Sequence, residues 1–249
     1  MFAILRLVNK HKSTQFNCFS PPVMVATVII ELSLAVYTLW RYKMDRLTRL
    51  VVVCVLALTV FQISEYFVCT GSGLSAGDWS RLGYVAITAL PALGLHILHV
   101  LAAKPKRRLV IAAYASMVGF MAYFLTYQTA FTGFACTGNY VIFQIGENPA
   151  IAYGAYYYGW ILTAMYLGGR WAGQLRKRSV SAYSRVKTLR ALVVGYLVFL
   201  VPTAVVYSVS PSARRGIPSI MCGFAVLFAV ILTIYVLPLA ASKRGAATA

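Results

Sequence analysis

Acidic residues are almost missing from this chain: five Asp and Glu stand among 249 residues, against 23 Lys and Arg, for a net charge of +18. Charge of either sign is scarce, at 11% of residues, while 60% are hydrophobic. That balance excludes a soluble globular domain and points to a polytopic membrane protein. The carboxylates are dispersed over Glu31, Asp45, Glu65, Asp78 and Glu147, so no paired aspartates exist for acid–base chemistry. No apolar segment combines Ser, His and Asp, and neither a helical zinc-protease motif nor a Gly-rich phosphate loop occurs. Lysine is absent from within every apolar span, which leaves a retinal Schiff base without an attachment point and excludes an opsin. An enzyme is therefore not expected, nor is a cofactor. The excess of cations would suit nucleic acid on a soluble surface, but here it falls in short runs between apolar segments and acts as a topology signal. No nucleic-acid partner is expected. The partner these cations imply is the lipid bilayer, whose anionic headgroups attract each nearby Lys or Arg by about 1 kcal/mol.

What the chain has in plenty is long apolar runs. The most informative is Arg81–Arg108, RLGYVAITALPALGLHILHVLAAKPKRR. About 20 apolar residues are needed to cross a bilayer core of roughly 30 Å, and Leu82–Ala103 supplies them before Lys104, Lys106, Arg107 and Arg108 mark a cytoplasmic end. Pro91 sits mid-span, where a kink is expected. With that run as the third span, the others fall at about Pro21–Trp40, Leu47–Val68, Leu109–Phe131, Pro149–Gly173, Ala191–Val209 and Ile217–Leu239. The fold class expected is thus all-α: a seven-transmembrane-helix bundle over 21–239, flanked by an extracytoplasmic tail, 1–20, and a short cytoplasmic tail, 240–249. Most of the 23 cations lie in loops one, three and five and in the C-terminal tail, which places the N-terminus outside and the C-terminus inside, as in a multi-pass protein of the cell membrane. Arg6, Lys10 and Lys12 mildly oppose translocation of the N-terminal tail, so a first span lying in the interface is the alternative. No run in that tail is long enough for a cleaved signal peptide, and it is expected to be retained.

The longest outer loop is expected at Thr132–Asn148, and a basic loop, RKRSVSAYSRVKTLR, at Arg176–Arg190. The latter is a topology signal on headgroups or a docking site for a cytoplasmic signalling protein, with lipid contact released if Ser179, Ser181 and Ser184 were phosphorylated. Gly169 and Gly173 have the small-residue spacing at which two helices approach closely. Five cysteines are too few for a disulfide framework, but Cys18, Cys69 and Cys136 fall on the outer side, where oxidation is permitted. Cys69–Cys136 is the expected pair, Cys18–Cys69 competes with it, and three unpaired thiols are the third alternative. His96 and His99 share a helical face and invite a metal. Glu65 lies too far outward to join them, and Glu31, closer in depth, leaves the set short of ligands, so hydrogen bonding within the bundle is the simpler role and no metal is expected.

Gln62, Glu65 and Cys69 recur at i, i+3 and i+7 on one face of the second span. A carboxylate inside a span is costly and should face the bundle interior. Tyr153 and Tyr157 at the outer end of the fifth span, and Tyr84 on the third, are placed to satisfy it and to line an aromatic pocket open to the exterior, suited to a small amphipathic or cationic ligand. The alternative is a structural hydrogen-bond network tying spans two, three and five together.

Leu34–Lys43 (LAVYTLWRYK), Trp79–Leu93 (WSRLGYVAITALPAL), the sixth span with Pro202 and Tyr207, and a glutamate near the outer end of span two carry a resemblance. From about Pro21 to Pro238 the chain resembles the seven-transmembrane sensor region at the N-terminus of many prokaryotic membrane histidine kinases and cyclic-nucleotide signalling enzymes. In that family the spans feed a cytoplasmic PAS, kinase or cyclase domain, whereas the sequence here ends at Ala249. The resemblance implies a stand-alone sensor or receptor-like module that binds a small-molecule ligand from outside and signals through a separate cytoplasmic signalling protein. A small-molecule transporter is the second hypothesis, on the central prolines of spans three and six. A structural or assembly protein is the third.

Overall fold

The computed structural model describes residues 21–104, 107–127, 129–136, 141–178, 183–209 and 216–241. Both expected tails, Cys18, Ser179 and Ser181 lie outside the described residues, apart from the tail's first two positions, Ala240 and Ala241. The chain is predominantly helical: α1 (Pro21–Arg41), α2 (Arg46–Thr70), α3 (Ala76–Ala102), α4 (Arg107–Thr126), α5 (Glu147–Arg178), α6 (Tyr183–Val209) and α7 (Ile217–Val230). A π-helical turn, Ile231–Val236, and a last helical turn, α8 (Leu237–Ala240), carry α7 onward. Among the described residues six runs are long and apolar enough to cross a membrane, namely α1, α2, α3, α4, α6 and the α7 run through to Ala240. α5 has 32 residues, ample length, but its tyrosines, glycines and terminal charges make it less apolar.

The helix ends follow from local chemistry. Asp45 precedes α2 and its side chain accepts from the Thr48 N–H at 2.8 Å, while Gly71 closes the helix in the left-handed conformation at φ 69°. Ser75 caps α3, accepting from the Asp78 N–H, and Asp78 pairs with Arg81 at 3.1 Å. That cap starts α3 at Ala76, a turn and a half before the apolar stretch at Leu82. The helix runs unbroken through Pro91. Five buried hydroxyls cost little because they donate to the carbonyl one turn back: Thr38 to Leu34, Thr59 to Val55, Ser64 to Val60, Thr203 to Phe199 and Thr233 to Ala229.

α3 is the hub, packed against α2, α4, α5 and α6. α1 lies on α2 and α7, and α6 lies between α5 and α7. Two expectations need correction here. The basic stretch Arg176–Arg190 is largely helix, since α5 continues to Arg178 and α6 begins at Tyr183; long cationic side chains let a helix continue past its apolar portion. The close approach expected at Gly169 and Gly173 occurs at Gly168 instead: a methyl there would press on Val193 of α6 and Leu98 of α3, whereas Gly169 and Gly173 face open space.

The expected outer loop is also not a loop. β1 (Phe131–Cys136) and β2 (Val141–Ile145) form an antiparallel hairpin, with Phe134 opposite Phe143 and Cys136 opposite Val141. α4 accordingly ends at Thr126, short of Phe131, and among the described residues the hairpin is the departure from the all-α expectation. Two isolated strands are marginal on their own. Burial of Val141 and Phe143 against the bundle and a disulfide from Cys136 to Cys69 on α2, with Cα atoms 5.8 Å apart, hold them in place. The hairpin defines one end of the bundle and the cation-rich helix ends define the other.

Candidate functional site

Glu65 lies one turn before Cys69 on α2, so the disulfide fixes the chain directly above it. Glu65 and Gln62 are 1% and 2% exposed, which puts a carboxylate and an amide inside the protein. The Ser219 hydroxyl on α7 stands within hydrogen-bonding reach of the carboxylate, while Oε1 makes no hydrogen bond among the described residues, and neither does Gln62 Nε2. Ser219 Oγ also accepts from the backbone N–H of Val141 at 3.3 Å. One hydroxyl thereby joins the hairpin to the carboxylate: it accepts from β2 and has its single proton to offer to Glu65.

The second carboxylate of this region comes from α1. Glu31 is fully buried, and neither of its oxygens makes a hydrogen bond among the described residues. Thr59 stands beside it, but that hydroxyl is committed to the Val55 carbonyl at 3.0 Å. Glu31 is close enough to Glu65 for the two to interact electrostatically, with Cys222 of α7 in the field of both. Sequence reasoning used Glu31 only to judge its depth against His96 and missed this grouping. The available signal was that α1 and α2 are consecutive and each carries one acid within its apolar run.

The tyrosines are brought to the same end, in a different role. Tyr84 is buried at the centre of an aromatic cluster, its ring 5.1 Å from Phe124, 4.9 Å from Phe131, 5.3 Å from Phe143 and 5.7 Å from Tyr153. These edge and tilted contacts suit ring quadrupoles and exclude water. Thr88 donates to the Tyr84 carbonyl at 2.6 Å, so it accepts from the Tyr153 hydroxyl at 3.1 Å, and the Tyr156 hydroxyl donates to the Thr88 carbonyl at 2.6 Å. The Tyr153 phenol expected on Glu65 is therefore spent on α3, and the hydroxyl that stands beside the carboxylate is that of Ser219 on α7. Tyr157 lines a small apolar void of about 20 Å³ with Leu58, Met221 and Cys222. All five expected residues are buried; in place of a pocket open to the exterior they form a packed layer, with hairpin residues Phe131 and Phe143 against Tyr84.

The histidines lie toward the other end and do not act as a pair. Arg46 Nη2 is 2.8 Å from His96 Nε2, and His96 Nδ1 is 3.0 Å from the Tyr114 hydroxyl. Because a guanidinium can only donate, Nε2 is the acceptor, and the ring proton sits on Nδ1 and points to Tyr114. His99 bonds the Leu95 carbonyl through Nδ1 at 2.8 Å and meets the Trp171 ring edge-on at 5.1 Å. Among the described residues no three His, Cys, Asp or Glu side chains gather as a metal set.

No family model matches this chain, and neither does any curated protein or solved structure.

Proposed function

We propose that this chain is a seven-helix membrane sensor, receptor-like in action, with α5 as the fifth crossing, the hairpin end outside the cell membrane and the basic end in the cytoplasm. At 1.5 Å per residue α5 is about 48 Å long, and it packs between α3 and α6, which supports counting it as a span. The cations concentrated at the opposite end from the disulfide support the orientation.

The observation that carries the sensing reading is the link from Val141 through Ser219 to Glu65. A small cationic or amphipathic ligand that lifts the hairpin gains access to a buried carboxylate and releases α7 from its hydrogen bond at the same time. α7 is continuous with the π-helical turn and α8 at the basic end, so its displacement offers a route to a separate cytoplasmic signalling protein. The resemblance to kinase and cyclase sensor regions supports this role.

Glu65→Gln tests it, since the substitution keeps size and removes charge. With purified protein in lipid nanodiscs, titration with a panel of small organic amines should raise the melting temperature of the wild type, and Glu65→Gln should abolish that rise while remaining folded. A full response in Glu65→Gln would sink the carboxylate as the recognition element. A second reading, transport of a small molecule or cation, is favoured by the proximity of Glu31 and Glu65 within one bundle. Concentrative uptake into proteoliposomes would decide for it.

A further inference from the structure

At the basic end, α6 and the α7 run separate to leave a groove of about 450 Å³. The two helices are pinched together just above it, where a Cβ on Gly195 would sit 2.7 Å from the Phe228 ring and where Tyr196 stacks on Phe228 at 5.0 Å. Below the pinch the backbone of Ile231–Val236 pairs over five residues instead of four, and Ile231 and Tyr235 of this wider turn form one wall. Val186 and Val194 of α6 form the other. The Ser184 hydroxyl, donating to the Leu239 carbonyl at 3.0 Å, ties the two helices together again at the foot. The space is thus an apolar slot, closed above and tied below, and it opens sideways where the helices face lipid.

Two cations stand on this slot. Lys187 and Arg190 are one turn apart on α6, both exposed, and the Lys187 ammonium lies 5.4 Å from the centroid of the Tyr235 ring, which holds it over the groove. Neither forms an ion pair with a carboxylate among the described residues, where Arg81–Asp78 is the pair present. An apolar slot open to lipid and capped by two uncompensated cations has the charge and shape of half a phospholipid binding site.

We propose that this groove seats one anionic phospholipid, with its phosphate on Lys187 and Arg190 and an acyl chain along Ala191, Val194 and Ile231. The site is independent of the sensing reading, since it shares no residue with the Glu65 cluster. A zwitterionic headgroup carries an ammonium that opposes the two cations, so preference should be set by net charge. Two such charges correspond to about a 30-fold difference in affinity.

The test uses delipidated full-length protein in a neutral detergent, titrated with phosphatidylglycerol or phosphatidylcholine of identical chains and followed by native mass spectrometry. The wild type should bind phosphatidylglycerol about 30-fold more tightly. The double variant Lys187→Gln, Arg190→Gln should bind both lipids alike, whereas Arg176→Gln with Arg185→Gln, which removes equal charge from the same end outside the groove, should keep the preference. Ile231→Trp, which fills the slot, should weaken both lipids together. Melting temperatures in detergent without lipid serve as the folding control, and Val194→Trp replaces Ile231→Trp if the latter unfolds. Equal affinity for the two lipids in the wild type, survival of the preference in the groove double variant, or its loss in the control pair would overturn the proposal. So would equal displacement of phosphatidylglycerol and protection of the fold by inorganic phosphate alone, which would assign the cations to a soluble anion.

Discussion

The two ends of this bundle handle charge in opposite ways. At the hairpin end Asp78 and Glu147 stay at the surface, but Glu65 is buried beneath a disulfide-tethered hairpin beside an aromatic layer, with Glu31 buried deeper, midway along α1. At the basic end Arg46, Arg185, Lys187 and Arg190 stay exposed, and the helices part to leave cavities of about 450 and 460 Å³. A short carboxylate can be covered if a hydroxyl and a tight aromatic packing replace water. A crowd of like-charged, long side chains cannot be drawn inward together, because each would need its own partner and only five acids exist in the whole chain. Packing is therefore tight around the buried Glu65 and its aromatic neighbours and looser among the cations, although an apolar groove of about 280 Å³ also lies between α1 and α2 at the hairpin end.

If the hairpin end is the tightly packed end, the largest effect should come from its centre. Tyr84→Ala should cost about 3–5 kcal/mol, the range for truncating a buried aromatic, whereas Tyr166→Ala, at a position 65% exposed, should change stability by no more than about 0.5 kcal/mol. Denaturant unfolding in micelles, scored by tryptophan fluorescence, measures both. Equal effects would dissolve the contrast between the ends.

The next effect tests whether the disulfide holds the lid. Cys69→Ser with Cys136→Ser should lower stability by about 2–4 kcal/mol, and mild reductant should lower the wild type to the same level. Hydrogen exchange should then rise in β2 and at the N-terminus of α7, where Val141 and Ser219 meet, and leave α6 near Ser184 unchanged. Uniform loosening of both ends would mean that the hairpin is no separate cover.

The smallest effect is expected at the basic end. Tyr114→Phe removes the acceptor of the His96 Nδ1–H and should cost about 0.5–1.5 kcal/mol, with the Arg46–His96 contact left in place. Nitrogen chemical shifts of His96 should show the Nδ1-protonated tautomer in the wild type and still in the variant, because Arg46 continues to donate to Nε2. A wild type already in the mixed state would break the chain from Arg46 to Tyr114.

Much of the fold was legible along the chain. The starts and ends of α1, α2 and α7 lie within a few residues of the apolar runs, because a transmembrane helix is marked by length and hydropathy alone. That Gln62, Glu65 and Tyr84 turn inward was also legible, because a carboxylate or amide within an apolar span is costly anywhere but the interior. The hairpin was not read from the sequence: its strands are only six and five residues long, β1 contains Gly133 and a bulge between Phe131 and Gly133, and the strand-like run Val141–Ile145 lies between polar, glycine-bearing segments. Nor was the placing of Ser219 beside Glu65, since a lone serine near a helix start carries no pattern.

The sequence by itself determined that apolar helices dominate, where the cations gather, and which residues enter the apolar spans, since these are properties that add up residue by residue. Tertiary structure decided the rest. Helices such as α2 and α6 are apolar nearly all round, so no stripe says which face turns inward. Whether Gly168 or Gly169 meets a neighbour, whether Glu31 looks toward Glu65 or His96, and where α6 parts from α7 are settled only when the helices pack, because in an apolar surround the contacts that choose a face are close packing and a few hydrogen bonds between residues far apart in the chain.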